Sequence, residues 1–228
     1  MSSFTIQGKK VDVLPASEPG SPIVYLHMFG REGDRVFQEL QNEKSPDLTL
    51  VAISKLDWNH DMAPWECPPL SRMDQPCTGG ADEYLEMFIR EILPEAEKDI
   101  EGEPAWRGIS GYSLAGLFAV YSIYRTDLFS RVATMSGSLW FPGIKEYIFS
   151  HDPMIRPDHM YFSLGDKESK SRNSYLKTTQ DNTAEIQAFY ADQGIDSIFV
   201  LNPGNHYAGP VKRMAAGIDW ILRREGTE

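Results

Sequence analysis

The sequence predicts an α/β protein: a mainly parallel, doubly wound sheet with helices on both faces. Two observations carry this reading. Apolar runs of strand length alternate with longer helix-like segments along nearly the whole chain, and such alternation demands crossover connections and parallel pairing. The 228 residues, 41% of them hydrophobic, are also enough to fill a single α/β domain over 1–228 with a full core. No internal repeat or low-complexity tract interrupts the pattern.

Residues 4–6 and 10–14 read as an initial hairpin turning through Gly8. Strands are expected near 22–27, 48–53, 105–110, 131–135, 159–164 and 196–201. Helices are expected near 34–43, 81–100, 113–125, 144–150, 178–193 and 210–224. The early strand is the apolar run Ile23-Val24-Tyr25-Leu26-His27. Residues 105–110 make a short buried strand, and Leu114, Leu117, Phe118, Tyr121 and Ile123 supply apolar helical spacing directly after it. His159-Met160-Tyr161-Phe162-Ser163-Leu164 is a later strand, followed by the turn Gly165-Asp166-Lys167-Glu168. Ser197-Ile198-Phe199-Val200-Leu201 is the last strand, and Asn202-Pro203-Gly204-Asn205 turns the chain toward the final helix. The longest irregular stretch runs from 57 to 80.

Ile109-Ser110-Gly111 leads into Tyr112-Ser113-Leu114-Ala115-Gly116, a serine between small residues at a strand-to-helix junction. That is the local signature of a nucleophile elbow, where the crowded backbone tolerates only small neighbours. The pattern is G-x-S-x-x-G, with Ala115 where the second glycine of G-x-S-x-G usually falls. A plain strand-to-helix turn with Ser113 as an N-cap would look the same over these five residues. The order of the other groups separates the two. Serine hydrolases built on this elbow run Ser, then Asp or Glu, then His along the chain. Of His27, His60, His151, His159 and His206, only His206 lies well after a candidate acid, on a loop between the last strand and the last helix. His27 is read as a packed strand-end residue.

Two acids follow the strand at 159–164, Asp166 and Glu168. An acid there can accept from the histidine Nδ1–H and fix its tautomer. Glu168 is preferred because it lies deeper in the loop and could fold back toward His206; Asp166 is the alternative, and a Ser–His pair without an acid is a third arrangement. A tetrahedral oxyanion needs backbone N–H donors. One is expected from Leu114, directly after the nucleophile. The other belongs to the loop Met28-Phe29-Gly30, with Phe29 as first choice and Met28 as second.

Gly111-Tyr112-Ser113-Leu114-Ala115-Gly116-Leu117-Phe118-Ala119 resembles the elbow of the putative esterase (esterase D-like) family of α/β-hydrolases. Gly79-Gly80-Ala81-Asp82-Glu83-Tyr84 through Leu93-Pro94 resembles a helix of that family. Ser136-Gly137-Ser138-Leu139-Trp140 and Gly165-Asp166-Lys167-Glu168 resemble its Ser-Gly-Ser segment and its acid loop. The likeness runs from about Ile23 to the end, and departs at Ala115 and at Met28, where many relatives carry Asp or Gly. The family includes siderophore trilactone esterases, feruloyl esterases, S-formylglutathione hydrolase and mycolyltransferases. The resemblance implies an α/β-hydrolase fold and ester hydrolysis through an acyl-enzyme on Ser113. Acyl transfer to a sugar or other alcohol, or a binding protein without turnover, are the alternatives. No metal or cofactor is expected.

The 57–80 stretch carries Trp58, Asn59 and Trp65. A loop of that length is often functional. Its aromatics, with Trp140 and with Tyr112 beside the elbow, either line the substrate cleft or pin the loop to the body. Cys67 and Cys77 fall in the same loop and are expected as free thiols. A net charge of −11, from 22 basic and 33 acidic residues, repels phosphate backbones, so nucleic acid is not expected as a partner. Lys167, Lys170 and Arg172 form the one basic cluster near the acid, expected as a solvated turn. The expected partner is a small-molecule ester. No apolar run approaches the ~20 residues of a membrane span. The N-terminal residues show no secretory apolar segment, so the expected compartment is the cytoplasm.

Overall fold

The computed structural model describes residues 1–225. Strands β1 (Ser2–Ile6) and β2 (Lys9–Leu14) form the opening hairpin. Gln7 and Gly8 between them both have positive φ, 47° and 83°. Two such residues in succession give the turn whose twist matches its flanking strands.

The chain continues through β3 (Ile23–His27), α1 (Gly33–Asn42) and β4 (Thr49–Ser54). The expected irregular loop holds a short helix, α2 (Trp58–Asp61), and a small ribbon, β5 (Glu66–Cys67) against β6 (Cys77–Thr78). Cys67 and Cys77 are directly opposed in that ribbon, buried and free. The segment α3 (Ala81–Met87) widens into one π-helical turn, Phe88–Ile92, before α4 (Leu93–Glu97). Pro94 sits in the first turn of α4 and has no N–H to donate back up the helix, a usual cause of such a break. Then come β7 (Arg107–Tyr112), α5 (Leu114–Ser122), β8 (Arg131–Met135) and α6 (Ile144–Ser150). The last elements are β9 (His159–Gly165), α7 (Thr179–Asp192), β10 (Asp196–Asn202) and α8 (Pro210–Leu222).

Eight strands make one sheet in the order β1-β2-β4-β3-β7-β8-β9-β10. The pairs β1–β2 and β2–β4 are antiparallel, and from β4 to β10 every neighbour is parallel. Parallel strands covered on both faces must be apolar throughout. Accordingly, every residue of β3 is buried. Ile23 and Tyr25 point into one core with α3 and α5; Val24 and Leu26 point into the other, against α1 and α8. No helix among the described residues is long and apolar enough to cross a membrane.

The strand expected at 105–110 starts two residues later. Ala105 N–H donates to Gly20 O and Trp106 O accepts from Ile23 N–H, so this pair closes a turn before the strand proper begins. From β3 the chain pairs β4 on one side and returns to place β7 on the other. Strand order therefore reverses at β3, and the crevice beyond the carboxyl ends of β3 and β7 is where sheets of this kind carry their sites.

The helix after β7 packs unusually close to β8. A methyl on Gly116 would lie 2.6 Å from Thr134 Oγ1 and 2.9 Å from Gly137 Cα. Gly116→Ala should therefore destabilise the protein by about 1–3 kcal/mol through overpacking. A urea midpoint equal to that of the wild type would show that β8 gives way freely and would refute the argument.

Candidate active site

Ser113 lies between the last residue of β7 and the first of α5, at φ 62° and ψ −125°. A non-glycine residue holds such a conformation only where its surroundings over-determine it. Ser113 N–H donates to Met135 O at 3.1 Å, and its carbonyl accepts from Gly116 N–H at 3.0 Å and Ser138 N–H at 3.0 Å. Gly111 makes the sharp bend possible, since a Cβ there would come within 2.3 Å of the Ala115 backbone. Ser113 forms no side-chain cap on α5, which removes the N-cap reading. Its hydroxyl points instead to the loop after β10, with Oγ 3.1 Å from His206 Nε2.

His206 Nδ1 lies 2.7 Å from Glu168 Oε2. Of the two acids, Glu168 is therefore the one on the histidine. Asp166 faces away and is exposed; its Oδ1 accepts from Gly204 N–H at 2.8 Å and so ties the acid loop to the histidine loop. The other oxygen of Glu168, Oε1, accepts from Gly165 N–H (2.6 Å), Ser136 Oγ (2.8 Å) and Arg213 Nη1 (3.0 Å). Burial alone would push this carboxyl up. The hydrogen bonds from His206, Gly165 and Ser136 outweigh it and hold the group below its ordinary value.

The loop after β3 offers one of its two candidate donors only. Met28 N–H is engaged with Ile53 O at 3.1 Å, because the chain is still in register with β4 there. Met28 is thus withdrawn as an oxyanion donor, and Phe29 is left as the candidate. Phe29 is 76% exposed and meets Trp58 edge to face, with ring centroids 5.3 Å apart. Leu114 N–H belongs to the first turn of α5, where backbone donors have no intrahelical acceptor. His27 is fully buried among Tyr84, Phe88 and Phe118, and burial lowers its pKa to about 3. It is a neutral core residue.

Of the residues expected to line a cleft, Trp58 pairs with Phe29, and Trp140 follows the Ser138 N–H that holds Ser113. Trp140 is half-buried beside Tyr175, 6.4 Å between centroids. Three others serve the scaffold. Trp65 Nε1–H donates to Pro142 O at 2.8 Å, and its ring packs on Tyr121, Phe141 and Tyr147. It pins the loop to the body. Asn59 Nδ2 donates to Gln75 O at 2.9 Å, bracing that loop from within. The Tyr112 hydroxyl donates to the His206 carbonyl at 2.6 Å. Lys167, Lys170 and Arg172 are exposed.

One residue of the site escaped the sequence reading. Arg213, in the first turn of α8, is buried against Glu168. Its signal was an arginine in helical register with Gly217 and Ile221, on the inward stripe of an otherwise apolar face.

Comparison with known proteins agrees with this architecture. A family model described as "Putative esterase" matches residues 28–200, which includes the elbow and the acid loop. The uncharacterized protein YbbA of Bacillus subtilis (strain 168) is 24% identical over 184 residues, 77% of this chain and 73% of YbbA. An IroE-like serine hydrolase from Shewanella oneidensis superposes with a TM-score of 0.76 at 18% identity, over 94% of this chain and 76% of that one. The siderophore hydrolase EstA from Aspergillus nidulans superposes with a TM-score of 0.72 at 18% identity, over 97% and 93%. At these identities the structural likeness is one of fold, the α/β-hydrolase type. The family match spans most of the sequence, and the chain belongs to the "Putative esterase" family.

Proposed function

We propose that the protein cleaves a carboxylic ester through an acyl-enzyme on Ser113. The observation that carries this reading is the hydrogen-bonded line from Ser113 Oγ to His206 Nε2 (3.1 Å) and from His206 Nδ1 to Glu168 Oε2 (2.7 Å). An ionised Glu168 has no proton to give, so His206 must supply Nδ1–H. In the neutral ring Nε2 then carries the lone pair and accepts the Ser113 proton.

Ser113 Oγ attacks the ester carbonyl as its proton passes to His206 Nε2. The resulting oxyanion meets the N–H groups of Leu114 and Phe29. Collapse expels the alcohol, which leaves with the proton from Nε2. Water, deprotonated at the same nitrogen, then attacks the acyl-enzyme; the acid departs and Ser113 recovers its proton. Glu168 stays ionised throughout and stabilises the imidazolium formed in each half. The aromatic pairs Phe29–Trp58 and Trp140–Tyr175, carried on the loops after β3, β4, β8 and β9, support an ester with a flat or aromatic portion. EstA is named a siderophore hydrolase, which makes such esters the first to assay. The net charge of −11 disfavours strongly anionic ones.

Ser113→Ala should abolish labelling by a fluorophosphonate and lower kcat/KM by roughly 10³ or more on a panel of p-nitrophenyl, feruloyl and catecholate esters. His206→Ala should cost as much, and the double variant little more, because the two groups act as a unit. Activity should fall on the acid side of the profile as His206 protonates. Additive losses, or ordinary turnover in Ser113→Ala, would sink the assignment.

The two acids separate cleanly. Glu168→Gln should lose about 10²–10⁴ in turnover, because an amide favours the wrong histidine tautomer. Asp166→Asn should cost less than about tenfold, since it keeps an acceptor for Gly204 N–H and touches no reacting atom. The opposite ranking in the same assay would make Asp166 the functional acid.

A further inference from the structure

We propose that Arg213 is the positioning residue of this site: its guanidinium locks Glu168 to the histidine loop and neutralises the carboxylate, so that His206 rests as a neutral base. The inference stands on the assignment of Ser113, His206 and Glu168 made above.

The geometry is that of a planar fork used at both ends. Nη1 donates to Glu168 Oε1 (3.0 Å) and Ser136 Oγ (3.1 Å), and lies 3.3 Å from the Tyr112 hydroxyl. Nη2 donates to the carbonyls of Pro203 (3.2 Å) and Asn205 (3.1 Å). Asn205 immediately precedes His206, and the His206 carbonyl accepts from Tyr112. A single rigid group therefore spans the acid, the loop that carries the base, and the hydroxyls beneath them. A lysine offers one point of charge and cannot reproduce such a fork. Gly165 makes room: a Cβ there would lie 2.3 Å from Gly204 O and 2.9 Å from Arg213 Nη2.

The charge has a separate consequence. The side chains of Arg213 and Glu168 are only 4% and 6% exposed, so water does little to screen them. A buried carboxylate with His206 as its sole chargeable partner, its other bonds coming from the neutral Gly165 N–H and Ser136 hydroxyl, would draw a proton onto the imidazole. A protonated His206 cannot take the Ser113 proton. Arg213 supplies the compensating charge on the far oxygen, and the resting pair keeps only the Nδ1 proton, with Nε2 free to accept.

The other ionisable groups facing this cluster do not substitute for it. Tyr112 from β7 and Tyr161 from β9 are both held neutral, chiefly by burial. Asp166 and Lys167 on the acid loop, Tyr207 beside the base and Lys212 on α8 are exposed. Among the described residues, Arg213 is the buried cation in contact with Glu168.

The test is a histidine titration by NMR on the full chain labelled with ¹⁵N-histidine, with His206 assigned from His206→Gln. In Arg213→Gln the His206 midpoint should rise by about one pH unit. The acid limb of kcat/KM should move with it, a change that a purely structural role would not produce. An unmoved midpoint in a folded Arg213→Gln overturns the proposal. If Arg213→Gln does not fold, Arg213→Lys takes its place. It should keep the midpoint within about 0.3 pH units, since the charge persists, while kcat falls at least tenfold with the lost fork. Wild-type kcat in Arg213→Lys overturns the positioning role. The titration needs no substrate. Absence of ester turnover in the wild type would strike the hydrolase reading alone, whereas a static midpoint in an active enzyme would strike only Arg213.

Discussion

Ser113 sits at φ 62° and ψ −125°, a conformation that costs a serine of the order of 1–3 kcal/mol and persists only where the neighbours compel it. Much of the surrounding architecture serves to compel it. Its N–H is held by Met135 O at the end of β8, and its carbonyl by donors from α5 and from the loop after β8. The helix can approach this closely because Gly111, Gly116 and Gly137 leave no side chain between strand, helix and loop. Ser136, the next residue after Met135, also has positive φ, at 47°. The two strained positions lie at adjacent strand ends, and each turns a hydroxyl toward the same cluster. Ala115 completes the bend without harm. Its methyl is fully buried, and Gly111 opposite carries no side chain to meet it.

The second constraint is electrostatic. Glu168 and Arg213 lie almost out of solvent, where an unpaired charge would be expensive. Each is satisfied several times over. Glu168 accepts from His206, Gly165, Ser136 and Arg213, and Arg213 also binds two loop carbonyls. A network so fully connected rigidifies the loops it joins, whereas a half-satisfied one would destabilise them. Loops after β7, β8, β9 and β10 all enter it. Four strand-to-helix connections are thereby held at one end of the sheet by side chains rather than by strand pairing.

The fold was legible in the sequence because parallel strands must be apolar on both faces and helices on only one. The runs at Ile23–His27 and His159–Gly165 stand out for that reason, and their bounds agree with the expected ones to within a residue. The departures have local causes. Residues 105–106 look like strand but close a turn with 20–23, and Pro94 widens a helix that periodicity alone would run straight through. The ribbon of Glu66–Cys67 with Cys77–Thr78 is too short to carry any period. Residue type leaves Tyr112, Asn59 and Trp65 between lining a cleft and bracing a loop; only the structure shows their polar atoms engaged with His206, Gln75 and Pro142.

By itself the sequence determined the order of elements, the small residues around Ser113, and the succession of serine, acid and histidine. These follow from local sterics and from hydrophobic period, which short windows of chain contain. Only the tertiary structure decided which acid turns inward, that the Met28 N–H is taken up by Ile53 O, and that Arg213 reaches both loops. Those choices rest on distances between residues that are remote along the chain. Glu168 and Asp166 are equivalent by type and nearly so by position. What separates them is that one loop packs against another, so that one carboxylate meets His206 and Arg213 while the other meets the Gly204 N–H and water.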